Sequence, residues 1–133
     1  MPPSNLPPIG SVERWLRFAD SDLDLARTQL TGNVMIEALC FHAQQAVEKA
    51  IKAVLVHFDV PVPRTHVIEI VIDKAEQKVE IPKFVREAAN LTPYASVTRY
   101  PGDYEPRTDA DLLDAIQKAE KVVIWAKEIC GNK

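Results

Sequence analysis

His42, Gln45, Lys49 and Lys52 follow one another at intervals of three and four residues, the spacing that lines side chains along one edge of an α-helix. Amide and ammonium donors in such a row can hold an anion. Gln44 and Gln45 add amides able to hydrogen-bond a base or a phosphate, or serve simply as good helix formers. Glu48 and Lys52 lie four apart in the favourable order, which fits either an exposed helix pair or one wall of a pocket. Much later, Arg99-Tyr100-Pro101 sits in a Pro-rich loop. A guanidinium there can grip a phosphate through two hydrogen bonds while the neighbouring ring stacks on a base; its alternative role is an ion pair that pins the loop. His66, at a helix start, is either structural or a ligand-facing imidazole. The candidate nucleotide- or phosphate-binding set is therefore His42, Gln45, Lys49, Lys52, His66, Arg99 and Tyr100, with the catalytic residues unknown.

The elements that must position these groups are helical. Over 33–58, Leu39, Ala43, Ala46, Ala50, Ala53 and Val54 make a broad apolar face opposite the polar edge. Before it, Ser11 caps a helix expected to run to Leu30, with Val12, Leu16, Ala19, Leu23, Ala26 and Leu30 as its stripe. Thr31-Gly32-Asn33 then ends one helix and caps the next. Thr65 can cap a third helix from His66; Val67 to Ile72 is β-branched enough for a strand, but the helical continuation through Lys78 and the lack of a partner strand favour helix. Pro82 suits the first turn of a short helix ending before Thr92-Pro93. Residues 93–107 form a loop long enough to carry function. Thr108 and Asp111 form a capping-box-like start for a last helix reaching Cys130, its buried face set by Leu112, Ile116, Ala119, Val123 and Ala126. The fold class is all-α, an up-and-down bundle of four to five helices.

With 133 residues, one domain over 11–133 is expected behind a flexible Pro-rich arm at 1–10. A net charge of -3 excludes a protein that coats nucleic acid by bulk charge, so any such binding must be local. Cys40 and Cys130 lack metal-ligand or CxxC spacing and read as reduced thiols of a cytoplasmic, soluble chain. No signal segment or membrane span is expected. No cofactor or metal is expected: His42, His57 and His66 form no ligand cluster. Asp20, Asp22 and Asp24 alternate like a calcium loop but lack its glycine and closing glutamate, and so read as a solvated helix face. Phe18 and Leu25, and likewise Trp125, fall off the core stripes of their helices; contact with another chain, a homodimer, is the economical explanation, the alternative being burial against the Pro-rich arm or the long loop.

The order Trp15, Ala19, Asp22-Leu23, Ala26, then Gln44 to Lys52, then Thr65-His66, then Tyr94 with Arg99-Tyr100-Pro101 resembles a HEPN domain, named for higher eukaryotes and prokaryotes nucleotide binding. The resemblance spans 11–130. It implies a helical bundle that commonly dimerises, nucleotide or RNA binding, and in prokaryotes pairing with a small nucleotidyltransferase in toxin-antitoxin modules. Many HEPN proteins resemble ribonucleases built on an Arg followed after four to six residues by a His. No Arg of this chain is followed by His at that spacing, so the usual ribonuclease site is absent, and His66 could replace it only beside Arg99. Three functions remain in order: a HEPN-like domain binding a nucleotide or RNA phosphate, a noncatalytic dimerisation or partner-binding domain, and a ribonuclease with an atypical site.

Overall fold

The computed structural model describes residues 5–28, 32–97 and 106–131. Its elements are α1 (Val12–Ala26), α2 (Ile36–His57), α3 (Ile68–Glu76), α4 (Lys83–Glu87), a 3-10 turn (Ala88–Leu91), α5 (Tyr94–Val97) and α6 (Asp109–Gly131). Among the described residues there is no strand. The fold is an all-α bundle in which α1 and α6 pack on α2, and α3, α5 and the 3-10 turn close its remaining sides. No described helix is long and apolar enough to cross a membrane.

Small residues allow this packing. Ala19 and Ala26 of α1, Ala43, Ala46 and Ala50 of α2, and Ala115, Ala119 and Ala126 of α6 are all fully buried, and small side chains at a helix contact let the axes approach closely. Ile51, Leu55, Ile72 and Leu91 supply the bulk of the core between them. α2 has contacts on every side, and its one-sided amphipathic pattern is misleading: Gln44, Gln45, Glu48 and Lys52 are buried along with its alanines. Of the expected donor edge, Gln45 and Lys52 are inside the bundle, while His42 and Lys49 are half-buried.

Helix ends follow the expected signals where the cap is local. Ser11 Oγ accepts from Arg14 N at 3.1 Å and opens α1. Thr108 and Asp111 exchange side-chain-to-backbone bonds of 2.9 and 3.2 Å and open α6. Other boundaries move. α1 stops at Ala26 rather than Leu30, with Arg27 as C-cap and Thr28 Oγ1 bonded to the Asp24 carbonyl; the rest of the expected extension, 29–31, lies outside the described residues. α2 begins after Met35, which offers no side-chain cap. Pro82 stands at the N-cap of α4, one residue before its first turn. α3 is a helix, as its period implies, burying Ile68, Val71, Ile72 and Ala75. It starts at Ile68 because its cap comes from elsewhere: Thr92 Oγ1 accepts from Ile68 N at 3.1 Å and donates to Glu69 at 3.0 Å. Thr65 Oγ1 instead accepts from Val67 N, a turn before the helix.

Trp125 requires a correction. It is only 7% exposed, because α4 and the 3-10 turn cover a second side of α6, so it belongs to this chain's own core and is no exposed interface residue. Phe18 and Leu25 do remain exposed, at 37% and 44%.

Candidate functional site

Two carboxylates organise the polar side chains of α2. Asp22 and Glu48 are both buried. Asp22 falls at i+3 from Ala19 and i−4 from Ala26, on the inward stripe of α1, so the expectation of a solvated Asp20-Asp22-Asp24 face fails at its middle member. His42 Nδ1 lies 2.9 Å from Asp22 Oδ1 and Lys49 Nζ donates to Oδ2 at 2.6 Å. Asp20 and Asp24 do stay at the surface, paired with Lys127 and Arg27.

Glu48 gathers the rest. Lys52 Nζ donates to Oε1 at 2.6 Å, Gln44 and Gln45 each donate to Oε2 at 3.1 Å, and His66 Nδ1 sits 3.1 Å from Oε2. Further bonds fix the donors: Gln45 to Gln44 Oε1 at 2.7 Å, Gln44 to the His66 carbonyl at 3.2 Å, and Lys52 to the Thr65 carbonyl at 3.0 Å. Glu48 and Lys52 are not the exposed pair that one of the two readings supposes; their side chains are 3% and 8% exposed. Burial pushes the Glu48 carboxyl up, but hydrogen bonds from Lys52, His66 and Gln44 together outweigh it and hold the group below the ordinary carboxylate value. Glu48 is therefore an anion at neutral pH.

This network presents one group outward. The His66 side chain is 51% exposed, and with Nδ1 turned to Glu48 its Nε2 is the ring nitrogen left to face away from the carboxylate. The indole of Trp15 lies under Lys52, with Nζ 5.6 Å from the ring. Thus Gln45, Lys52 and His66 converge on Glu48, while His42 and Lys49 converge on Asp22. Arg99 and Tyr100 lie outside the described residues. Two described residues that flank them in the chain meet each other: the Arg107 guanidinium lies 4.7 Å over the Tyr94 ring, and Arg107 N donates to the buried Glu37 at 3.0 Å.

Residue types alone missed Asp22 and Trp15 as parts of the site. A signal for Asp22 was present, since a carboxylate on an apolar stripe must find a cation, and Lys49 and His42 are the partners it meets.

An all-helical bundle whose central helix carries buried ion pairs defines the class of protein. The HEPN domain pattern matches residues 12–129, and the chain belongs to the HEPN domain family. In sequence it is similar to MJ1304, a candidate toxin of Methanocaldococcus jannaschii, with 27% identity over 141 aligned residues, 94% of this chain and 91% of that protein. In structure it is similar to TT1696 from Thermus thermophilus, with a TM-score of 0.76, 25% identity and coverage of 91% of this chain and 99% of that one. It is also similar to ST0689, an archaeal HEPN homologue, with a TM-score of 0.71, 28% identity and coverage of 90% and 98%.

Proposed function

We propose that this chain is a HEPN protein of the toxin type that binds a nucleotide or an RNA phosphate and works beside a small nucleotidyltransferase. The toxin assignment draws on the similarity to MJ1304. The observation that carries the binding reading is the half-exposed His66 held by a buried Glu48, itself held by Gln44, Gln45 and Lys52. A buried ionic network is an inefficient way to stabilise a core, since well-packed apolar side chains do as well or better. Its benefit here is to fix a surface imidazole; Arg99 and Tyr100, which lie outside the described residues, are the cation and stacking ring proposed for the same ligand. Calorimetric titration with nucleotides and short RNAs tests this. Arg99→Ala is expected to weaken binding by about 1.5–3 kcal/mol, the range for a hydrogen bond to a charged group, with an unchanged thermal midpoint. Unaltered affinity would remove Arg99 from the site.

A second reading, self-association as a homodimer, is favoured by the exposure of Phe18 and Leu25 on α1. Light scattering on the same samples decides it.

A further inference from the structure

The ammonium groups of α2 are already paired: Asp22 holds Lys49, with the His42 ring also against it, and Glu48 holds Lys52, with the ring of His66 from the following segment also against it. Arg14 and Arg17, on α1, have no carboxylate within ion-pair distance among the described residues. Arg14 donates to the Pro7 carbonyl at 3.1 Å, and its guanidinium lies 5.2 Å from the Phe18 ring centroid. Lys49 Nζ lies 5.7 Å from the same centroid. This ring carries cations rather than an apolar surround.

Three concavities adjoin along α1. The first, about 180 Å³, lies between Trp15 and Phe18 with Arg14 at its wall and Gly10 at its rim. The second, about 320 Å³, shares Phe18 and brings in Arg17 and Lys49, together with the Asp22 carboxylate that Lys49 pairs. The third, about 390 Å³, shares Arg17 with the second but is lined by Asp20 and Asp24. The furrow thus runs from an aromatic end through a cationic middle to an acidic end.

We propose that its aromatic and cationic parts bind one nucleotide unit, the base between Trp15 and Phe18 and the phosphate on Arg17 with Lys49 behind it. This rests on the reading that the chain binds a nucleotide or RNA. Base faces stack on aromatic rings whatever their sequence, and a guanidinium with no carboxylate partner among the described residues is available for bidentate contact with a phosphate. Beyond it, Asp20 and Asp24 are paired with Lys127 and Arg27 and offer a following phosphate no free cation, so the site is one unit long. Such a unit is a free nucleoside monophosphate or the end of an RNA strand; the chemistry is shared.

Calorimetric titration of the full chain with adenosine 5′-monophosphate, uridine 5′-monophosphate and a four-nucleotide RNA tests the proposal. The comparison is wild type against Arg17→Glu and Phe18→Ala, two exposed positions, with circular dichroism and light scattering on each. The expected result is a loss of about tenfold or more in each variant, with helicity retained. A mononucleotide bound as tightly as the RNA identifies the free ligand, and a preference for the RNA identifies a strand end; both support the site. Wild-type binding that neither variant alters overturns this site and leaves the proposed function standing. Failure of the wild type to bind any of the three overturns both. A change of mass in Phe18→Ala with unchanged affinity assigns the face to a second copy and overturns the inference.

Discussion

Replacing Glu48 by Gln removes one charge and almost no volume from the centre of the bundle. Lys52 is then left with an ammonium that is 8% exposed and has only the Thr65 carbonyl and an amide oxygen as acceptors. Gln44 and Gln45, which both lose the carboxylate, must share that single oxygen with Lys52, keeping otherwise only the His66 carbonyl and the Gln44 amide oxygen. Removing one partner of a buried pair costs about 3–5 kcal/mol, against under about 1 kcal/mol for an exposed one. For 133 residues each kcal/mol corresponds to roughly 3–4 °C, so the midpoint should fall by about 9–20 °C. Lys52→Met in the same chain removes the stranded ammonium, and the double variant should recover at least half of the loss in a double-mutant cycle. Acid supplies an independent test. Because the folded Glu48 titrates below its ordinary value of 4.5, its contribution is fully present above that pH and is lost as pH falls through the folded value. The gap between wild type and Glu48→Gln should therefore close below about pH 4.5. Thermal denaturation followed across the acid range and up to neutral pH, in close steps, measures both effects. A Glu48→Gln loss under about 1 kcal/mol at neutral pH would refute the buried-pair reasoning.

Asp59 closes α2 with φ of 58°, and the bonds from Val60 N to Leu55 O and Asp59 N to Val56 O form a Schellman end that usually takes glycine; Asp59→Gly should raise stability by about 1 kcal/mol in urea titration. Burial is the main reason that the Cys40 and Cys130 thiols are each pushed up to about 11. Both should react slowly with a chromogenic disulfide at neutral pH and rapidly once urea unfolds the chain, as followed by absorbance.

Helix period and local caps made most of the bundle readable. Ser11 and the Thr108–Asp111 pair act within their own turns, and the inward spacing of Ile68, Val71, Ile72 and Ala75 overrides their β-branched character. What could not be read depends on contacts across the fold. The hydroxyl that caps α3 belongs to Thr92, 24 residues away from Ile68. Trp125 was placed outside because a single stripe was assigned to α6, whereas α4 and the 3-10 turn create a second buried side. The candidate site divides in the same way. Residue types along α2 indicated polar donors at helical spacing, but their orientation was set by Asp22 on another helix and by the burial of Glu48. The donors consequently turn toward internal carboxylates.

The Thr92 hydroxyl has a mechanical consequence. It both receives the first amide of α3 and reaches Glu69, while its own backbone begins the turn into α5 through the bond from Ala95 N. The start of α3 and the start of α5 are thereby hinged on one residue. Two residues before the amide that this hinge holds, the His66 carbonyl is fastened to Gln44 on the central helix. A displacement arriving through α5 would be delivered to the backbone that carries His66, so Thr92 acts as a lever joining the start of α5 to the segment that carries the imidazole.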